Sequence, residues 1–487
     1  MSDLDAAETD VFARLEDDAG AEAGGLFRDL ITEYFAEARS GDGPVSTPLP
    51  FDDLDARFDE PLPLDGRPLE QVVERLRGEV VTDSNRLAHP MAMGHQVSSP
   101  VPAAVWTDAV IAALNQSIAV AEMSPTLSAI ERRVLRWMCG LAGFGPDSGG
   151  TFTSGGTEAT FAALLAARSA ALPDVWRDGV GADPPVVVCG EHAHYAVSRA
   201  VGQLGLGLKS LVSVPSRDFR LDTAALEEAL VRLERDGRRV MAVVATAGST
   251  ATGSFDDLDA IGRLCQARGL WLHVDAAHGG SALLSPSHRE RLRGLERARS
   301  LAWDAHKMML LPLAAGMVLV KDERDLDAGF AQSAPYLFHG AGARVRDQGV
   351  RSFQCSRRGD VLKLWVVLQR LGARGLGALY DHLCGLTQVL HARLAARPDF
   401  ETLHAPECNI LCFRYRPARR DEAALDALNL ALRESWNRSG RGWITTTLLS
   451  GRRVLRVTLM NPRTRDAHLA RLVDGLAEMG AGLAVDA

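Results

Sequence analysis

The chain has 487 residues, of which 46% are hydrophobic and 24% charged, a composition that predicts a globular protein of two or three domains. Its formal net charge is −8, and because residues 1–60 hold 17 acidic residues and 4 arginines, the acidity belongs to the N-terminal segment. No basic stripe with interleaved aromatic residues, no apolar run of about eighteen residues and no signal-peptide pattern occurs, so we expect no nucleic-acid partner, no membrane span and no secretion.

The seven cysteines are odd in number and scattered, without a Cys-x-x-Cys motif. This usage predicts free thiols in a reducing cytoplasm. Cys408 and Cys412 could form a metal pair, but a buried strand with two small apolar side chains is the favoured interpretation, and we expect no metal site.

The N-terminal part of the chain is predicted to be helical. Residues 1–40 are rich in Ala, Glu and Asp, residues 41–50 form a breaker-rich linker, and residues 68–80 place apolar side chains at helical spacing. We therefore expect an N-terminal helical arm over residues 1–85.

The centre of the chain alternates strands and helices. Short apolar runs that suit strands buried on both faces lie at residues 185–189, 240–245, 270–274 and 316–320. Between the second and third runs, Asp256 or Asp257 caps a helix that ends at Gly269. A strand, a helix and a strand in this order predict a βαβ unit, and hence a mostly parallel sheet in a large domain over residues 86–360.

The pattern changes after residue 360. A helix over residues 361–371, a strand over 453–459 and a final amphipathic helix predict a smaller α+β domain over residues 361–487.

Three motifs with polar side chains follow predicted strands or turns. Gly155, Gly156 and Thr157 precede a helix, whose N-terminal amides favour a phosphate. His194 follows the first strand and could stack on a cofactor ring, and Thr246 ends the second strand with a hydroxyl. Taken alone, each motif is better explained by an ordinary helix start, a surface or satisfied histidine, or a polar turn.

A fourth constellation is more informative. The strand over residues 270–274 leads into Asp275, and a second short strand leads into the pair His306 and Lys307. A pyridoxal phosphate site needs a lysine amine for the Schiff base and a carboxylate that pairs with the protonated pyridine nitrogen. A salt bridge to a lysine or arginine is the alternative explanation for Asp275.

These motifs, in this chain order, resemble those of the group II pyridoxal phosphate-dependent decarboxylases, from about His89 to Asn461. The resemblance implies a fold type I (aspartate aminotransferase-like) α/β large domain, with Lys307 as the Schiff-base residue and pyridoxal 5′-phosphate as the cofactor. It also implies that the other cofactor-binding positions are Gly155, Gly156, Thr157, His194, Thr246, Asp275, Ala277, Asp304 and His306.

The resemblance further implies three residues on the substrate side. Tyr336 would protonate Cα after CO₂ leaves, and Arg357 would grip the α-carboxylate. His95 would line the substrate pocket where the glutamate enzymes have a glutamine, which puts glutamate itself in doubt. Members of this family are homodimers with the active site at the interface, and we expect the same here.

The predicted activity is decarboxylation of an L-amino acid to the amine and CO₂, with an acidic substrate of the aspartate, glutamate or sulfinoalanine type. The alternatives are a 2,4-diaminobutyrate or aromatic amino acid decarboxylase, and a fold type I aminotransferase or lyase. A non-catalytic relative is disfavoured because Lys307, Asp275 and His194 occur together. A nicotinamide enzyme is disfavoured because no Gly-x-Gly-x-x-Gly joins a strand to a helix.

Overall fold

The structure, a computed structural model, describes residues 3–47, 49–330, 347–417 and 421–485. The N-terminal part is helical, as expected, although a break after Asp18 divides its first stretch into two helices. Its elements are α1 (Asp3–Asp18), α2 (Ala21–Ser40), α3 (Phe51–Arg57) and α4 (Leu69–Arg75), followed by a π-helical turn (Leu76–Val81).

A seven-stranded sheet forms the centre of the molecule, in the order β1-β9-β8-β7-β6-β2-β3. Neighbouring strands are parallel except at β9, which is antiparallel to both β1 and β8. The mostly parallel α/β sheet predicted from the sequence is thereby confirmed. Its strands are β1 (Gly149–Thr153), β2 (Val186–Gly190), β3 (Leu211–Val214), β6 (Val240–Thr246), β7 (Trp271–Asp275), β8 (Ser300–Asp304) and β9 (Gly316–Val320). A short antiparallel pair, β4 (Ser216–Arg217) and β5 (Arg220–Leu221), follows β3.

Helices cover both faces of this sheet, which explains the uninterrupted apolar runs. In β2, Val186 and Val188 belong to one hydrophobic core, whereas Val187 and Cys189 belong to the other, because successive side chains point to opposite faces. One face packs on α6 (Pro125–Leu141), α10 (Thr223–Arg235) and α11 (Leu258–Ala267), and the other on α7 (Gly156–Ala171), α9 (Ala196–Gln203) and α12 (Arg324–Gly329). Two further helices of this part are α5 (Pro102–Leu114) and α8 (Val175–Asp178).

The predicted βαβ unit is present between β6 and β7. Helix α11 begins after Asp257, whose carboxylate accepts a hydrogen bond from the Ala260 amide and caps the helix. Asp256 has a different role, because its carboxylate accepts hydrogen bonds from the amides of Thr246 and Leu221. The unit delivers Thr246 and Asp275 side by side at the carboxyl edge of the sheet.

A second, antiparallel sheet forms the C-terminal part, in the order β10-β11-β13-β12. Its elements are β10 (Phe400–Thr402), β11 (Ile410–Tyr415), β12 (Thr445–Leu449) and β13 (Arg452–Thr458), with α14 (Glu422–Arg438) and α15 (Asp466–Val485). One face buries Leu428 and Trp436, from α14, against Leu455. The other face turns Cys412 and Val454 towards Phe219 and Ala251, next to the larger sheet.

A long helix, α13 (Val361–Ala395), connects the two sheets. The predicted helix over residues 361–371 ends where Gly372 adopts φ 69°, and the chain then resumes a helical path. Met91 and Met93, which fall within the predicted large domain, pack in the core of the smaller sheet. The domain limits at residues 85 and 360 stay a prediction. No helix in the described part of the chain is long and apolar enough to cross a membrane.

Candidate active site

A cavity of about 510 Å³ opens at the carboxyl ends of β6, β7 and β8. Parallel strands present their carboxyl ends at one edge, which is where α/β sheets bind ligands. Thr246, Asp275 and Asp304 are the last residues of these three strands. The lining residues also include Gly155, Gly156, Thr157, His194, Ala277, His306, Lys307 and His95. All the cofactor positions expected from the sequence are therefore brought together.

Lys307 lies just beyond β8, with its amine directed at a buried carboxylate. Its Nζ is 3.2 Å from Oδ2 of Asp304, whose side chain is 2% exposed. The Asp275 carboxylate accepts a hydrogen bond from the Ala277 amide at 3.1 Å and has no ion-pair partner within 4.0 Å in the described ranges. Asp275 is thus available to a cationic ligand group, whereas a salt bridge would have engaged it.

The glycine pair at the start of α7 allows a close approach between three segments. A Cβ atom on Gly156 would lie 2.8 Å from Cβ of Ala277, and one on Gly155 would lie 3.2 Å from Cε1 of His306. Any larger residue would therefore push the loop away from the cavity floor. The first amides of α7 have no partner within the helix, so the loop offers donors to an anion.

Two histidines of the cavity are held by backbone amides. Nδ1 of His194 accepts a hydrogen bond from the Ala196 amide, and Nδ1 of His306 accepts one from Ala315. Burial lowers the pKa of both imidazoles below the usual value. Both rings are consequently neutral at pH 7, with the remaining proton on Nε2.

The residues present fit pyridoxal phosphate. The glycine loop suits its phosphate, Asp275 a protonated ring nitrogen, His194 the ring face and Lys307 the aldehyde carbon. Asp304 also lines this cavity, and its Oδ1 is buried without a hydrogen-bond partner in the described structure.

Arg357 does not reach this cavity. Its guanidinium forms a buried ion pair with Glu131, at 2.6 and 3.0 Å, and a hydrogen bond to Thr151 at 3.3 Å. A guanidinium already engaged by a buried carboxylate is not placed to grip a substrate carboxylate, so the structure does not support the role expected for Arg357.

Arg456 is the cation that the sequence interpretation missed. It lies on β13, is 7% exposed, and donates from Nη1 to the carbonyl of Thr250, a cavity residue, at 2.7 Å. Its Nε has no hydrogen-bond partner, and no carboxylate lies within 4.0 Å of it in the described ranges. The available signal was an arginine within the apolar run of residues 453–459, which predicts a buried cation that needs an anion.

His95, Tyr336 and the cysteine pair are the remaining residues singled out from the sequence. His95 lines the cavity with its ring centroid 5.1 Å from that of Trp443, and burial together with Arg456 lowers its pKa. Tyr336 lies outside the described residues. Cys408 and Cys412 are buried free thiols that donate to backbone carbonyls, and no cluster of metal-ligating side chains occurs in the described ranges.

Two relatives of similar sequence are amino acid decarboxylases. The sequence model of the pyridoxal-dependent decarboxylase conserved domain matches residues 52–416. L-2,4-diaminobutyrate decarboxylase of Rhizobium meliloti is 34% identical over 88% of this chain and 84% of its own length. Cysteine sulfinic acid decarboxylase of Mus musculus is 34% identical over 80% of both chains.

The solved structure of mouse CSAD in its apo form superimposes with a TM-score of 0.88 at 30% identity, covering 94% of this chain and 99% of that one. These similarities confirm the resemblance, the fold type, the carboxy-lyase activity and the cofactor expected from the sequence. The chain belongs to the pyridoxal-dependent decarboxylase family, whose members use pyridoxal phosphate to remove the carboxyl group of amino acids.

Proposed function

We propose that this chain decarboxylates an amino acid with an acidic side chain, of the aspartate, glutamate or sulfinoalanine type, in the cavity at the carboxyl edge of the large sheet. The observation that carries the proposal is the meeting of Lys307, Asp275 and His194 in this cavity, together with Arg456, which contacts the cavity residue Thr250 and has no carboxylate partner among the described residues.

The residues on the cofactor side of the cavity bind and orient the cofactor. Pyridoxal phosphate, when bound, supplies a ring that accepts the electron pair released as the bond between Cα and the carboxylate breaks. Lys307 offers the amine for its aldehyde, and Asp275 keeps a proton on its nitrogen because the carboxylate favours the charged ring. His194 would lie against the ring face and keep the reacting bond aligned.

Protonation of Cα after CO₂ leaves is assigned to Tyr336, as a proposal that rests on the sequence alone. A phenol hydroxyl within hydrogen-bond reach of Cα would deliver the proton and yield the amine. Replacement by phenylalanine would remove this proton donor.

The substrate side carries one guanidinium and two imidazoles. His95 and His278 line the cavity as neutral imidazoles, because burial lowers the pKa of both, and Arg456 contacts the cavity residue Thr250. The carboxylates among the described lining residues, Asp275 and Asp304, both belong to the cofactor side. A guanidinium suits a substrate carboxylate, and imidazole N–H groups without a carboxylate nearby favour a second carboxylate or a sulfinate over an ammonium. In this proposal Arg456 takes the place first expected of Arg357.

2,4-Diaminobutyrate is the second candidate substrate, because the relatives from Rhizobium meliloti and Acinetobacter baumannii are both L-2,4-diaminobutyrate decarboxylases. Its side-chain ammonium would need a carboxylate that the described lining does not offer on the substrate side.

The test is the ratio of kcat/KM values for aspartate, sulfinoalanine and glutamate against that for 2,4-diaminobutyrate, with amine and CO₂ both quantified. A preference of about tenfold or more for an acidic substrate supports the proposal, since one charge-assisted hydrogen bond provides at least this discrimination. A preference for 2,4-diaminobutyrate would contradict the proposal of an acidic substrate and support the second candidate. Formation of a keto acid would indicate transamination.

We further propose that the chain works as a cytoplasmic homodimer. An apolar stripe on α5 is exposed, with Trp106 at 38%, Val110 at 50% and Leu114 at 48%, and such a stripe is typical of a protein interface. Analytical ultracentrifugation should find a dimer, and Val110→Arg should weaken it. A fully active monomer would refute the proposal.

A further inference from the structure

The hairpin over residues 247–255, which follows β6, forms part of the cavity wall and is closed by an antiparallel bridge between its two ends. Its hydroxyl side chains satisfy one another, because Oγ1 of Thr252 lies 2.8 Å from Oγ of Ser249 and 2.7 Å from Oγ of Ser254. Backbone hydrogen bonds also join its two arms. The carbonyls at its tip are thereby left for partners in the rest of the protein.

Two side chains of the smaller sheet bind consecutive carbonyls of this hairpin. Nη1 of Arg456 donates to the carbonyl of Thr250 at 2.7 Å, and Sγ of Cys412 donates to the carbonyl of Ala251 at 3.2 Å. Cys412 on β11 lies directly opposite Arg456 on β13. Residues opposite each other in an antiparallel pair share one face of the sheet, so the thiol and the guanidinium approach the hairpin side by side.

The thiol of Cys412 is a weak donor in apolar surroundings. Ala251 and Val454 belong to the apolar cluster around it. Burial raises the pKa of Cys412 to about 12, so the thiol carries its proton at pH 7. A hydrogen bond in such surroundings is a stable contact, because a carbonyl deprived of it would be buried without a partner.

The guanidinium of Arg456 depends on the hairpin for its orientation. Its bond to the carbonyl of Thr250 is the one hydrogen bond that the guanidinium donates within the described ranges, and its Nε has no partner there. An arginine side chain has many rotamers, and a single hydrogen bond selects among them. A shift of the Thr250 carbonyl would therefore change where the remaining donors of Arg456 point.

We propose that Cys412 is a positioning residue for substrate binding: its thiol fixes the hairpin over residues 247–255, and the hairpin fixes the guanidinium of Arg456 in the orientation that receives the substrate carboxylate. Cys412 is not among the described residues that line the cavity, so it acts through Arg456. The inference rests on the role proposed above for Arg456.

Steady-state kinetics of two variants tests this role, with the substrate that the comparison of aspartate, sulfinoalanine, glutamate and 2,4-diaminobutyrate identifies. Cys412→Ala removes the donor and should raise KM about three- to tenfold, with kcat within about twofold of the wild type. The effect is partial because Cys408 still donates to the carbonyl of Gly253. Cys412→Ser keeps a donor and should restore KM to within about twofold. An unchanged KM in Cys412→Ala, or an equal rise in both variants, would overturn the proposal.

Amide hydrogen exchange tests the contact without any substrate. Peptides covering residues 247–255 should exchange about threefold or more faster in Cys412→Ala than in the wild type, and at the wild-type rate in Cys412→Ser. Cys139→Ala is the matched control, because it removes a buried thiol that donates to the carbonyl of Gly149, outside the hairpin. This control should change neither KM nor the exchange of the hairpin. Exchange in Cys412→Ala equal to that of the wild type would contradict the proposal, whatever the substrate is.

Arg456→Met separates a failure of this inference from a failure of the proposed function. If Cys412 acts through Arg456, the double variant with Cys412→Ala should have the KM of Arg456→Met alone. A further rise of KM in the double variant would show that Cys412 acts by another route and would overturn the inference alone. An unchanged KM in Arg456→Met would instead remove the proposed role of Arg456, and with it this inference, even where the exchange experiment shows that the thiol fixes the hairpin.

Discussion

The two sides of the cavity are built in different ways. On the cofactor side, Thr246, Asp275 and Asp304 are the last residues of neighbouring strands. The sheet registers pair Thr246 with Asp275, and Asp304 lies two residues beyond Ala302, the partner of Asp275. On the substrate side, His95 comes from an irregular segment and Arg456 from the second sheet. The cofactor side is thus encoded by short local motifs, whereas the substrate side depends on how distant parts of the chain pack together.

This difference has a chemical counterpart. The cofactor side carries Lys307, which binds the cofactor covalently, and the charge of Asp275, and the reaction needs both. Substitutions of these two residues should therefore lower turnover. The substrate side supplies hydrogen bonds that several groups share, so its substitutions should act mainly on KM.

The largest effect should follow removal of the amine. Lys307→Ala should lower turnover by more than about 10³-fold and abolish the visible absorbance of the covalently held cofactor, because no other amine lies at this strand end. Circular dichroism should show an unchanged fold. Lys321→Ala, at an exposed position, is the control and should keep full activity.

The next largest effect should follow loss of the charge at the ring nitrogen. Asp275→Asn should reduce kcat by about 10²–10³-fold, since it removes the carboxylate that keeps the ring nitrogen protonated and the ring able to accept the electron pair. Steady-state kinetics at saturating cofactor measures this effect. A change in KM with kcat preserved would place Asp275 on the substrate side instead.

Two arginines sharpen the comparison on the substrate side. Arg456→Met should raise KM by about ten- to a hundredfold, the value of a hydrogen bond between charged groups, with little loss of stability. Arg357→Met leaves the carboxylate of Glu131 buried and unpaired, and should lower the free energy of unfolding by about 3–5 kcal/mol.

The opposite pattern, a KM effect for Arg357 and a stability effect for Arg456, would restore the role first expected of Arg357. Kinetics and denaturant unfolding on the same four samples, the two variants and duplicate wild type, decide between the two assignments.

The smallest effect on activity is expected in the interior of the strand that carries Asp275, where a substitution acts on stability alone. Burial lowers the pKa of His273 to about 4, whereas an unfolded chain has its ordinary value of about 6.5. Below pH 6.5 the unfolded state therefore binds a proton that the folded state does not. The free energy of unfolding should fall by about 3 kcal/mol between pH 6.5 and 4 from this residue alone. In His273→Gln this share of the loss should be missing, and an equal loss in both proteins would contradict the assignment.

The sequence predicted the cofactor side because strand ends are readable locally. An apolar run followed by Asp275 locates that carboxylate without knowledge of any distant contact, and the same holds for Lys307. Arg357 and Arg456 show the limit, since both occur in plausible segments. Only the packing reveals that Glu131 engages the former and that the latter has no carboxylate partner in the described structure.

Chemical trapping of the cofactor tests the central claim most directly. The chain has four lysines, at positions 209, 307, 321 and 363, so borohydride reduction of the cofactor-loaded protein, followed by peptide mass spectrometry, has four possible outcomes. The phosphopyridoxyl group should be found on Lys307 at one per chain. Stoichiometric modification of another lysine, with Lys307 unmodified, would contradict the site described for this protein.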